Sequence, residues 1–245
     1  MPKRIDIGTD IAMIGVWDPI RERHDLKAAK STDLQAGLES EAEAARLFFV
    51  NTGADGGYET DIYVEEQPDP GCLNLYSAVE REFLIESQSG RLIAGGIEDF
   101  VSDTKQITSG EDQFGVTPGL YALRFYERIE NRFVERLRSH IGAEDYAYYD
   151  RKFAGIPWGC LLFVIMAICL LTKLWLVSVG MFALWVAYLV VRSRVRAADH
   201  RLQDIAKRIE AFDEQFPSFI YALRRVTDKE AAKGGWHDLN LARAT

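Results

Sequence analysis

Three cysteines and four histidines in 245 residues are too few, and too scattered, for a disulfide framework or a metal centre. Cys160 and Cys169 fall nine residues apart in one predicted helix, about 13 Å along its axis and beyond disulfide reach. Cys72 stands alone. His24, His140, His200 and His237 form no HExxH or other ligand spacing, and no CxxC is present, so neither metal nor cofactor is expected. No Walker loop occurs and no GxGxxG follows a strand; the glycines read as turns. A signal peptide is not expected either, because Asp6 and Asp10 interrupt the region that would have to form an unbroken apolar core.

Positioned acid–base or nucleophilic groups are missing as well, which points away from an enzyme. The most prominent polar cluster is Gly95, Gly96, Glu98 and Asp99 in GGIEDF. Two adjacent acids on a strand point to opposite faces, so a strand end with exposed carboxylates is expected there rather than a catalytic pair.

What the chain does have is one long apolar block, residues 154–191, with Lys173 as the single charge near its midpoint. A helix rises about 1.5 Å per residue and the hydrocarbon core is about 30 Å thick, so about 20 apolar residues span it once. The block is about twice that length. Two spans, near 154–171 and 174–191, place Thr172 and Lys173 in a turn and avoid the cost of about 3 kcal/mol for a lysine at mid-bilayer. A helical hairpin buried in a soluble protein is the other reading. Arg136, Arg138, Arg151 and Lys152 precede the block and Arg192, Arg194 and Arg196 follow it, so the positive-inside rule predicts two spans in a bacterial inner membrane with both termini cytoplasmic. Tyr146, Tyr148, Tyr149, Phe153, Trp158 and Trp175 fit an interfacial aromatic belt. No Asp, Glu, Arg or His lies within either span, which disfavours transport.

The formal net charge of −8 hides a division along the chain. Residues 1–150 hold 15 Lys and Arg against 29 Asp and Glu, a net of −14; the remainder holds 14 against 8, a net of +6. The basic flanks of the block fit contact with anionic lipid. The acidic first part serves solubility or the capture of a basic protein partner, and it lacks the basic patch that nucleic acid requires. For such a partner the candidate surface is Glu59, Asp61, Glu65, Glu66, Glu98 and Asp99.

The predicted fold class is α+β. Residues 1–128 form a β-sandwich-like cytoplasmic domain, with short apolar runs separated by Asp18-Pro19, NTGADGG, Ser89-Gly90 and Thr117-Pro118-Gly119, and one helix over 33–46. A connecting helix and membrane-proximal link occupy 129–153, where Ile129, Phe133, Leu137 and Ile141 recur every four residues and Gly142 ends the stripe. The transmembrane hairpin follows at 154–191. A cytoplasmic helical segment covers 192–226, with a second stripe of Val195, Leu202, Ile205, Ile209 and Phe212. The two stripes either pack together or pack separately on the β domain or the bilayer surface. Residues 227–245 read as a flexible tail.

Three segments, IDIGTDIAMIGVWDP, SGRLIAGGIEDF and FGVTPGLYALRFY, resemble the β-rich domains of bacterial immunity-type proteins encoded near polymorphic or contact-dependent toxins. The likeness covers residues 1–128 and carries over no site residue. It implies a protein that binds and neutralises a cognate toxin. Together with the charge division this predicts an inner-membrane immunity protein acting through its acidic domain. The alternative is a membrane-anchored sensor or adaptor relaying between the hairpin and the β domain.

Overall fold

The computed structural model describes residues 2–23, 25–26, 31–102, 112–154, 182, 185–186, 198–227 and 232–239. The chain divides into a β unit, Met1–Ile129 with Phe216–Thr245, and a helical unit, Glu130–Gln215.

The β unit opens with β1 (Lys3–Thr9), whose Ile5, Ile7 and Thr9 are buried while Arg4, Asp6 and Gly8 face solvent, the period-2 pattern of a half-buried strand. In β2 (Met13–Trp17) and β3 (Leu47–Asn51) the alternation disappears because both faces are covered. Their Ile14, Val16, Phe48 and Val50 enter the core between the sheets. Trp17, Leu47 and Phe49 point to the opposite face, under α1 (Ser31–Glu43) and α3 (Ile97–Val101). The other elements are β4 (Gly56–Val64), α2 (Pro70–Leu73), β5 (Tyr76–Ala78), β6 (Phe83–Ser87), β7 (Arg91–Gly96), β8 (Gln113–Gly115), β9 (Gly119–Arg128), β10 (Phe219–Val226) and β11 (His237–Asp238).

One sheet runs β1-β4-β10-β9-β5, with β6 also paired to β9; the other runs β11-β3-β2-β7-β8. Pairing is antiparallel except for β4 with β10 and β3 with β11. Gly15 is required where the layers meet, since a Cβ there would lie 2.6 Å from Ile97 Cδ1 and 2.7 Å from the Phe48 carbonyl.

β9 and β10 are antiparallel neighbours, yet the whole helical unit separates them in sequence. The two crossing points are pinned within the β unit. The Arg128 amide donates to Ser218 O at 3.0 Å, the Arg128 Nη1 to Phe216 O at 2.6 Å, and the Tyr76 hydroxyl to Pro217 O at 2.8 Å.

In the helical unit, α4 (Glu130–Ile141) buries Phe133, Leu137 and Ile141, and α6 (His200–Asp213) buries Leu202, Ile205 and Phe212. These stripes pack on each other, with Phe133 and Phe212 ring centroids 5.6 Å apart. Gly142 (φ 98°) turns the chain from α4 into α5 (Ala143–Ala154). Asp145 then takes both Arg201 at 2.7 Å and Arg208 at 2.6 Å.

The expected chain of a β-sandwich-like cytoplasmic domain, a two-helix transmembrane hairpin and a C-terminal cytoplasmic helix is corrected by this architecture. The fold is mixed α/β: helices cover one sheet, and both sheets draw a strand from the C-terminal part, β10 and β11. Among the described residues no helix is long and apolar enough to cross a membrane. The nearest helices, α5 and α6, have 12 and 14 residues and carry charges along their length, against the roughly 20 apolar residues that a span needs. The apolar block at 154–191 lies outside the described residues apart from Ala154, Phe182, Trp185 and Val186. The expectation rested on the length and apolar composition of that block and on its basic and aromatic flanks, and none of the described helices has those properties. A two-span inner-membrane protein with both termini cytoplasmic is therefore not what the structure shows.

Candidate functional site

The outer face of the β9–β10 pair, away from the inter-sheet core, carries a groove of about 250 Å³. It is lined by Ala122 and Ala222, small side chains on adjacent strands, by Arg124, Arg224 and Tyr126 on the same strands, and by the loop Glu65–Glu66–Gln67–Pro68 after β4. Strand register explains the layout, because Ala222 pairs with Arg124 and Arg224 with Ala122 about the central pair Leu123 and Leu223. The leucines point inward and are buried, so the arginines must point outward. They are diagonal neighbours, whose Cα atoms lie roughly 7–8 Å apart in such a pair.

Glu82 bridges them. Its Oε1 lies 3.4 Å from Arg124 Nη2 and its Oε2 3.1 Å from Arg224 Nη2. The Arg124 and Arg224 side chains remain 46% and 59% exposed, against 23% for Glu82. Each guanidinium thus meets the carboxylate through one nitrogen, and both arginines line the groove. On the loop, Glu65 has a left-handed backbone (φ 58°), and its Oε1 accepts the Arg225 amide at 2.6 Å.

The six carboxylates expected to form a partner surface fall in three places. Glu59 and Asp61 lie on β4 beside Arg4 of β1. Arg4 holds Asp61 through Nε at 2.7 Å and Nη2 at 2.9 Å, and its Nη1 lies 3.9 Å from Glu59. Asp61 is buried. Glu65 and Glu66 line the groove. Glu98 and Asp99 belong to α3, not to a strand. Glu98 accepts the Asp10 amide at 2.8 Å and the Thr9 hydroxyl at 3.1 Å, which fixes the β1–β2 turn. Burial pushes the Asp99 carboxyl up, and Glu98, Asp112 and Glu22 add to it, to about 6. Among the described residues no group of three His, Cys, Asp or Glu side chains is placed to hold a metal ion.

Glu82, Arg124 and Arg224 do not stand out by residue type. The legible signal is a repeated tetrapeptide, Tyr121-Ala122-Leu123-Arg124 and Tyr221-Ala222-Leu223-Arg224. Paired antiparallel about Leu123 and Leu223, the two copies give the groove a local two-fold symmetry, with the Glu82 carboxylate between the two arginines.

Net charge also divides by unit. The β unit has 17 Lys and Arg against 27 Asp and Glu, a net of −10; the helical unit has 12 against 10, a net of +2.

No family model and no curated protein matches the chain. Among solved structures it is similar to "Crocagin biosynthetic gene J", at 16% identity and a TM-score of 0.38, over 54% of this chain and 80% of that one. A likeness at that level carries no conclusion about fold or function.

Proposed function

We propose that the chain is a binding protein of the immunity type, whose β unit captures a basic protein partner, a toxin, and neutralises it. The carrying observation is the net of −10 on the β unit, set against the near-balanced helical unit. A field of one sign speeds encounter with a partner of the opposite sign and disfavours partners of the same sign. Around Asp99, the neighbouring charges that act on its carboxyl, Glu22, Glu98 and Asp112, are all acidic, which favours a cationic counterpart there.

Co-expression with a candidate toxin encoded near the gene tests this reading. Cells making both proteins should grow, and the purified pair should associate at a rate that falls steeply as salt rises from about 50 to 500 mM. A toxin that stays equally lethal overturns the proposal.

A further inference from the structure

We propose that the groove over β9 and β10 is a binding site for a small zwitterion, a free amino acid or short peptide. The ligand's carboxylate would take the place of Glu82 between Arg124 and Arg224. This inference is independent of the toxin-binding reading.

The internal ion pair shows which group fits. A carboxylate has two equivalent oxygens, and Glu82 gives one to each arginine, at 3.4 and 3.1 Å, within the local two-fold set by the paired YALR segments. A ligand carboxylate entering from the groove meets the same two forks. Both arginine side chains are about half exposed. Arginine forks recognise carboxylates by paired donors, and Glu82 meets each fork through one nitrogen.

The remainder of the lining selects the other end of the ligand. Ala122 and Ala222 leave the strands beneath the groove without side-chain bulk, and Tyr126 adds an aromatic ring to the lining. Glu65 and Glu66 stand on the loop lining the same cavity, so a simple anion entering alone is repelled while an ammonium or guanidinium is attracted. A molecule carrying both charges satisfies both. A cavity of about 250 Å³ holds one or two residues rather than a folded partner.

Glu82 competes with the ligand from inside the protein, so binding to the native chain is weak and removal of that charge strengthens it. The test is calorimetric titration of the full-length protein with glycyl-lysine and, in parallel, with its C-terminal amide. Native protein should bind glycyl-lysine with a Kd near about 1 mM. Glu82→Gln should tighten this at least about tenfold, a gain that misfolding cannot produce. Arg224→Ala in the Glu82→Gln background should abolish that gain. Ala222→Leu, which fills the groove without touching a charge, should weaken binding at least tenfold. The amide should bind at least tenfold more weakly than the free acid. The proposal is overturned if Glu82→Gln shows no saturable binding below about 10 mM, or if the amide binds as well as the acid.

Discussion

Trp236 lies flat on Phe49, with ring centroids 5.4 Å apart and planes within 4° of parallel. That stack fastens the segment after β10 to β3. Nearby, the Leu84 amide donates to Lys233 O at 3.0 Å, so the segment also covers β6. Trp236→Ala should cost about 2 kcal/mol, seen as a fall of roughly 4–8 °C in melting temperature. A melting temperature unchanged by the substitution would mean that the segment adds nothing to the fold.

Gly234 makes a second, independent probe of the same docking. A Cβ at this position would collide with the carbonyls of Ala42 and Glu43 at the end of α1. Backbone atoms cannot move aside as a flexible side chain can. Gly234→Ala should therefore release residues 232–239 locally, raising amide exchange in β6 and β11 before the global melting temperature changes. Protection in both strands equal to that of the native chain would count against the docking.

These two contacts mark where sequence reading stops. The four-residue spacing of Phe133, Leu137 and Ile141 is a local signal, and the structure buries all three on α4. The strand Phe219–Val226 falls at the end of the segment 192–226 that reads as helical, since its partners Leu120–Glu127 lie about a hundred residues upstream. The two residues of β11 are too few to show any period. The site was harder still. Asp61 looks like an exposed acid until Arg4, 57 residues away, is seen to hold it. The arginines of the groove gain meaning only when register sets them diagonally about Glu82.

Asp18 should dominate the acid sensitivity of the β unit. Burial pushes its carboxyl up, but the amides of Ser89, Ile20 and Gln88 and the Ser89 hydroxyl outweigh that and hold it below the usual carboxylate range. Oδ2 accepts Gln88 N at 2.6 Å and Ser89 N at 2.7 Å, while Oδ1 accepts Ile20 N at 3.0 Å. A lowered folded value means that its stabilisation is present above the unfolded pKa, about 4, and is lost as pH falls through the folded value. Asp18→Ala should cost about 2–4 kcal/mol at pH 7 by leaving those amides without an acceptor. The penalty should shrink toward pH 2; a pH-independent penalty would contradict the assignment.

Asp99 should act with the opposite sign. Its folded value of about 6 lies above the unfolded one, so the native state holds the proton more tightly. Stability contributed by this group is greatest below pH 4 and declines as pH rises to 6. Asp99→Asn should raise stability at pH 7–8 by on the order of 1 kcal/mol after allowance for solvent screening, and should flatten the profile between pH 4 and 6. Denaturant melts from pH 4 to pH 8 check both effects. A variant less stable than the native chain at pH 8 would show that the ionised carboxylate is wanted.

The division among the six acidic candidates separates stability from association. Asp61 is buried and accepts from Nε and Nη2 of Arg4, so Asp61→Asn should lower stability by about 1–3 kcal/mol, mostly by weakening the main ion pair of Arg4. Glu66 is exposed on the loop lining the groove. Reversing its charge with Glu66→Lys should move the melting temperature by no more than about 2 °C. If the β unit captures a basic partner through its acidic surface, the same change should slow association at low salt several-fold and lose that effect near 500 mM salt. An association rate unchanged at low salt would remove the loop from the interface and leave α3, with Glu98 and Asp99, as the remaining acidic face to test.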